Sequence, residues 1–243
     1  WHLERDQDTA VKARLSGVNT PEDVISLLNA LKAEYDVPIG IKIAATHFLE
    51  EELEVIIRSD ADYIVIDGAE GGTAVAPPTL EDDLGLPTLY ALSRASHFLE
   101  EEGVRDRFSL IATGGLTTPG HFLKCLALGA DAVYISSIAL IALIQAQMGK
   151  AITDEPPVQL VIYGGKLADK FEVDEGARTL SNFLNSCTKE MLLAAQATGK
   201  TSLTGFSRED LVSTDSELSR VLGIGYAGEP GRKARRVEEF LTV

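Results

Sequence analysis

Cysteine is nearly absent: Cys125 and Cys187 are the only two in 243 residues. They lie far apart and fit no metal-ligand spacing. Two unpaired thiols suit a reducing compartment, so the chain reads as cytoplasmic. Basic residues are scarce as well, 22 Lys plus Arg against 37 Asp plus Glu, a net charge of −15. A surface that acidic repels phosphate backbones and anionic lipid, which excludes nucleic acid and membrane surfaces as partners. An anionic cofactor is still open to it, through local backbone donors or single cations. Long apolar runs are missing too. The most hydrophobic, Ile138 to Ile144, has seven residues, far short of the roughly 20 a membrane helix needs. The opening Trp1-His-Leu-Glu-Arg-Asp6 lacks the basic-then-apolar layout of a secretory leader. The one basic run, Arg232-Lys-Ala-Arg-Arg236, reads as a solvated helix face or tail.

What is present is ordinary for a globular protein: 45% apolar and 24% charged residues. The length alone permits a complete eight-stranded (β/α) barrel, for which about 250 residues is typical. The pattern fills only part of it. Short β-branched runs alternate with helical patterns over the first 150 residues: Pro38 to Ala44, Tyr63 to Ile66, Phe108 to Ala112 and Ala132 to Ile135. Each run is almost wholly apolar, as expected of parallel strands covered on both faces. The intervening helices are expected from Pro21, with Thr20 as N-cap, over Leu49 to Arg58, over Pro87 to Glu102, and from Pro119 to Leu128.

After Ala139 the alternation stops. An apolar helix is expected to run to about Met148. A loop with one apolar run, Val158 to Tyr163, follows it. Residues 174–199 read as a helix with Ala177, Leu180, Phe183, Leu184, Met191, Leu192 and Ala195 on its apolar side. Ser207-Arg-Glu-Asp210 resembles a helix start, and Val212 to Leu222 a further short helix. The fold class is α/β of the (β/α)8 TIM-barrel type, with four βα units evident and a C-terminal helical extension. Residues 1–148 are expected to form the partial barrel and 149–243 the extension packed on it.

Ligands of parallel α/β barrels meet the C-terminal strand ends. After the third strand comes Ala112-Thr-Gly-Gly115, and after the fourth Ser136-Ser137 opens a helix. Paired strand-to-helix turns of this kind form a phosphate clamp, although Gly114 and Gly115 alone need only mean a tight turn. The second strand runs into Asp67-Gly-Ala-Glu-Gly-Gly-Thr73 and then Ala74 to Pro78, which suits a loop passing close to a planar ligand. Lys42 interrupts an apolar strand, so it either points at a ligand or caps an acid such as Asp67. His47 and His121 show no metal spacing and read as surface or supporting groups.

Six segments together resemble the FMN-binding (synthase) domain of glutamate synthase, and most of all its stand-alone, archaeal-type members. They are Ile39-Gly-Ile-Lys-Ile-Ala, Ile66-Asp-Gly-Ala-Glu-Gly-Gly-Thr-Ala-Val-Ala-Pro, Pro87-Thr-Leu-Tyr-Ala-Leu, Ile111-Ala-Thr-Gly-Gly-Leu, Ala127-Leu-Gly-Ala-Asp-Ala-Val-Tyr-Ile and Asn182-Phe-Leu-Asn. The resemblance covers roughly residues 20–225. It implies a barrel holding FMN, with hydride from the flavin reducing 2-iminoglutarate, formed from 2-oxoglutarate and ammonia, to glutamate. It places Lys42 near the flavin and the substrate carboxylate, where its charge would stabilise the anionic reduced ring. It places Asp67, Gly68, Gly71, Gly72 and Thr73 on the substrate side of the ring, with Lys42 and Asp67 as the catalytic pair. Gly114, Gly115, Ser136 and Ser137 would hold the phosphate. Against the family, Pro38 to Ala44 corresponds to the fifth strand of the barrel, so the four runs are strands five to eight.

Two departures qualify the resemblance. The family binds a 3Fe-4S centre through three clustered cysteines, but Gln145 to Pro157 contains none, so no iron–sulfur cluster is expected. Strands one to four have no counterpart, and a half barrel has open edges. These are expected to be closed by a second copy in a homo-oligomer, by further N-terminal sequence, or by the C-terminal helices. An electron-donor or glutaminase subunit is the expected protein partner. Two alternatives remain. One is a non-catalytic, glutamate-synthase-like binding or assembly subunit. The other is a different phosphate-clamping barrel oxidoreductase of the IMP dehydrogenase type. That chemistry needs a loop cysteine, whereas Cys125 falls in an expected helix.

Overall fold

A computed structural model describes residues 15–71, 83–151 and 155–229. Gly72, Thr73, the stretch Ala74 to Pro78 and the basic run Arg232 to Arg236 lie outside the described residues. The chain divides into two compact units: residues through Gly115 with Ala130–Ala132, and Leu116–Gly129 with the residues from Val133.

The first unit is built from β/α repeats. Helix α1 (Pro21–Glu34) starts where Thr20 and Asp23 cap it reciprocally and Pro21 needs no donor. Strand β1 (Gly40–Ala44), helix α2 (Leu49–Ile57), strand β2 (Tyr63–Asp67), helix α3 (Thr88–Glu101) and strand β3 (Ser109–Thr113) follow in turn. The sheet order is β1-β2-β3-β4, where β4 is Ala132–Val133 and begins in this unit. β1, β2 and β3 pair in parallel, so Ala44, Asp67 and Thr113 stand level at the strand ends. Three parallel strands followed by a fourth in chain order, with helices between them, are consecutive units of a (β/α) barrel.

Side chains on alternate faces decide the packing. Ile64, Ile66, Leu110 and Ala112 are buried on one face of the sheet, and Leu49, Leu53, Ile56, Leu92, Ala95 and Leu99 of α2 and α3 are buried with them. Two-sided cover, expected of all four runs, holds for β2 and β3 only. β1 has one described neighbour and is half-exposed. The fourth run forms a strand over Ala132–Val133 alone, with Ala132 exposed. Both are end strands of this sheet, and an end strand lacks the flanking neighbour that would cover it.

At the opposite, N-terminal end of the sheet a pair of aspartates repeats one device. Asp62, just before β2, accepts from Lys32 Nζ at 2.7 Å and from Ile39 N at 2.6 Å. Asp131, just before β4, accepts from Arg105 Nη2 at 2.8 Å and from Leu110 N at 2.7 Å. Each carboxylate finishes the backbone pairing of the preceding strand and anchors a cation. Bonds from Lys32 and then from Ile39 hold the Asp62 carboxyl below the ordinary carboxylate range.

The second unit departs further from expectation. α4 (Pro119–Ala127) is capped by Thr118, whose side chain accepts from His121 N, as the Thr-Pro pair predicts. The apolar helix is α5 (Ser137–Ile144); it tightens into a 3₁₀ turn over Gln145–Lys150 rather than continuing to Met148. There the buried Gln147 amide donates to Glu172 O and accepts from Glu172 N, both at 2.8 Å. The expected long helix is α6 (Val173–Ala197). Its covered line runs through Gly176, Phe183, Cys187, Met191 and Ala195, whereas Ala177, Leu184 and Leu192 are exposed because they sit about 100° round the helix. Ser207 and Asp210 form their capping box, but on a 3₁₀ turn. The expected helix from Val212 is instead strand β5 (Val212–Ser213) and then α7 (Ser216–Leu222), which is capped by Asp215. β5 pairs in parallel with β6 (Gly225–Tyr226). Arg208 donates to Leu222 O and to Leu128 O, binding the C-terminal carbonyls of α7 and α4.

Because the folded Asp62 carboxyl lies below its unfolded value, its contribution is present above the unfolded pKa and is lost as pH falls. Asp62→Asn should therefore cost about 1 kcal/mol at neutral pH, after discounting for its exposure. Urea unfolding should show the gap between the two proteins closing as the pH is taken down through the carboxylate range.

Candidate functional site

The C-terminal ends of β1, β2 and β3 gather most of the residues singled out from the sequence. Lys42 pairs with Val65 in the register, so it shares a face with Asp67. Lys42 Nζ lies 2.6 Å from Asp67 Oδ2. The lysine side chain is 53% exposed and the aspartate 10%, so a half-wet cation stands over a buried acid. Of the two roles open to Lys42, capping Asp67 is thus seen directly. It is not buried in its strand, because β1 is an end strand.

Asp67 spends one oxygen on Lys42. Its other, Oδ1, is buried and has no hydrogen-bond partner among the described residues, an arrangement that costs free energy unless something else supplies a donor. Oδ1 points at Gly71, where an added Cβ would collide with it. Glu52 holds a comparable atom: its Oε2 is buried without a partner among the described residues, while Oε1 accepts from Thr46 Oγ1 at 3.0 Å. Burial raises the Glu52 carboxyl, and the Thr46 hydroxyl offsets this in part.

Backbone bonds sew the strand-end loops together. Ala45 N donates to Asp67 O, Leu86 N to Ala45 O, Ala69 N to Leu86 O, and Gly68 N to Thr113 O, at 2.8–3.1 Å. The glycines are needed for this closeness. A Cβ at Gly68 or Gly114 would overlap Thr88 Oγ1, and one at Gly115 would come within 2.6 Å of Glu70 Cβ. Gly114 and Gly115 also sit at φ of +114° and +63°. The tight-turn reading of this pair therefore holds, and the space that side chains would take is filled by Thr88, Asp67 and Glu70.

Glu70 and Thr88 belong to the site although the sequence reading passed over them. Glu70 Oε2 accepts from Thr88 N at 2.7 Å and lies 2.8 Å from Thr88 Oγ1, capping α3 from a neighbouring loop. Pro87 signalled the helix start, but nothing local tied Thr88 to an acid 18 positions away.

The other candidates are placed as follows. Ser136 and Ser137 are exposed at the start of α5 in the second unit. His47 is exposed, with its ring edge-on to Phe48. His121 is exposed and accepts through Nδ1 from Thr117 N at 3.3 Å. Cys125 and Cys187 are buried thiols outside any disulfide among the described residues, and burial pushes the Cys187 thiol up. Among the described residues no cluster of His, Cys, Asp or Glu could hold a metal, and no helix is long and apolar enough to cross a membrane.

Adding one methyl at Gly71 tests this packing. Gly71→Ala should destabilise the chain by about 1–3 kcal/mol in urea unfolding. The same change at Gly103, where nothing lies within 4 Å of the added carbon, should cost only the strain of its positive φ.

Comparison with known proteins places this geometry. The conserved region of glutamate synthase matches residues 3–201. An archaeal glutamate synthase [NADPH] of Methanocaldococcus jannaschii is 36% identical over 215 residues. An archaeal-type glutamate synthase [NADPH] of Thermotoga neapolitana is 36% identical over 223 residues. Each alignment takes in 86% of this chain and 42% of the relative. A glutamate synthase large subunit-like protein of Bacillus subtilis is 30% identical over 200 residues, covering 80% of this chain and 38% of that protein. Among solved structures, a flavocytochrome b2 variant with benzoylformate superposes with a TM-score of 0.51 at 16% identity. It covers 92% of this chain and 43% of that one, a likeness of fold alone. The chain spans about two-fifths of the length of these curated relatives and belongs to the glutamate synthase family.

Proposed function

We propose that the chain is the FMN-binding part of a glutamate synthase-type oxidoreductase that reduces 2-iminoglutarate, formed from 2-oxoglutarate and ammonia, to glutamate. The observation that carries this reading is Lys42, a half-exposed cation at the strand ends of a chain whose net charge is −15. It fits an anionic ligand there, and the buried Asp67 Oδ1 fits a ligand that brings an N–H donor. A flavin brings a ring N–H for Asp67 Oδ1 and, when reduced, an anionic ring for Lys42, so these two side chains suit it. When bound, the flavin supplies the hydride.

The chain's own residues bind and orient. The Lys42 ammonium attracts a dicarboxylate substrate and is held in place by its 2.6 Å bond to Asp67. Gly68 and Gly71 keep the β2 loop tight against Asp67 and Thr88, and the resemblance gives Gly72 and Thr73 a role on the substrate side of the flavin. Gly114 and Gly115 are proposed as backbone donors to phosphate, and Ser136 and Ser137 as donors at the start of α5. An electron-donating or ammonia-supplying subunit would complete the reaction. A reducing cytoplasm would suit the thiols of Cys125 and Cys187.

Purified chain mixed with FMN should acquire the visible absorbance of a bound flavin and quench the fluorescence of the free one. A chain that stays colourless and leaves that fluorescence unchanged sinks the proposal. In calorimetric titration of the flavin-loaded chain, Lys42→Met should weaken 2-oxoglutarate binding by about tenfold; unchanged affinity would remove Lys42 from the site.

A further inference from the structure

We propose that Thr88 is a positioning residue: its hydroxyl, held by Glu70, sets the conformation of the Thr113–Gly115 turn for anion binding. The inference rests on the flavin-binding reading of these strand ends, but the geometry behind it stands without a ligand. Thr88 Oγ1 faces three acceptors: Glu70 Oε2 at 2.8 Å, Gly114 O at 3.0 Å and Thr113 O at 3.4 Å. Thr88 is itself 6% exposed, so water does not compete freely for these oxygens. A hydroxyl carries a single proton and rotates to share it. One small group thereby holds together the loop after β2, the loop after β3 and the first turn of α3.

Among the described residues, the turn it governs is otherwise tied by the bond from Gly68 N to Thr113 O. Gly114 and Gly115 both adopt positive φ, where glycine is free to take several other conformations. What restrains them is contact. Gly114 leaves room for no atom between itself and Thr88 Oγ1, and Gly115 lies against the Glu70 side chain. Glu70 in turn is anchored by its bonds to Thr88 N and Oγ1. Loss of the hydroxyl leaves two buried carbonyls and a carboxylate without it. A methyl in its place needs about 3.5 Å from each oxygen, more than the gaps to Glu70 and Gly114 provide. The turn must then shift, and with it the direction of its amides.

Three variants separate positioning from general stability. Thr88→Val removes the hydroxyl, Thr88→Ser retains it, and Glu70→Gln keeps a neutral acceptor. In the ligand-free chain, hydrogen exchange of amides 111–115 should quicken in Thr88→Val, and by a smaller margin in Glu70→Gln. It should match the parent in Thr88→Ser, with protection of α1 unchanged throughout. FMN affinity should fall about tenfold in Thr88→Val and recover to within about threefold in Thr88→Ser. Exchange that rises equally in α1, or that stays at the parental rate in 111–115, overturns the proposal. So does FMN affinity that is the same in Thr88→Val as in the parent. Should Thr88→Val fail to fold, the Glu70→Gln exchange decides the matter in the same way. If the parent itself binds no FMN, the reading of function fails while the exchange series still tests the role of Thr88.

Discussion

Two polar side chains, Asp67 and Thr88, stand in the space that three other residues must leave empty. Gly68 and Gly114 make way for the Thr88 hydroxyl, and Gly71 for the Asp67 carboxylate. The rest of the strand-end architecture follows from this crowding. The loops after β2 and β3 can approach each other closely enough to exchange backbone hydrogen bonds only because their glycines carry no side chain. Buried oxygen is packed around buried oxygen, so each hydroxyl proton and each cation matters more than it would in water. Lys42 answers one carboxylate oxygen of Asp67, and no described residue answers the other.

The two ends of the sheet are built on different terms. At the N-terminal end, Asp62 and Asp131 complete the backbone pairing and meet Lys32 and Arg105, so every strong acceptor described there has a donor. Such satisfied pairs serve stability. At the C-terminal end the partnering among the described residues is incomplete, with an orphaned Asp67 oxygen and a half-exposed lysine. Unfinished polar accounting of this kind is usual where a ligand belongs. The asymmetry matches the general division of labour in parallel α/β barrels.

The order of strands and helices from α1 to α4 was legible because local rules agreed with one another. Thr20-Pro21 and Thr118-Pro119 each start a helix, and the apolar runs that became β2 and β3 are buried on both faces. The same rules failed where a segment's neighbours, not its composition, set its state. Ala132 to Ile135 is as apolar as the other runs, yet it forms a strand over two residues and is only partly covered. Val212 to Leu222 has a helical composition, yet its first residues pair with Gly225 and Tyr226, and the helix waits for Asp215 to cap it.

The site divides along the same line. Residue type and spacing alone determined that Lys42 was an anomaly in its strand, that Asp67 and the glycines formed strand-end loops, and that an acidic chain needs local backbone donors or a single cation for an anionic ligand. Those are properties of neighbours in sequence. Only the tertiary structure decided which role Lys42 fills, which oxygen of Asp67 is left without a donor, and what occupies the space beside each glycine. It also brought in Glu70 and Thr88, which no periodicity connects. Their bond exists because the sheet register brings the loop after β2 against the first turn of α3. A contact between distant segments is settled by packing, where the local pattern of the chain carries no record of it.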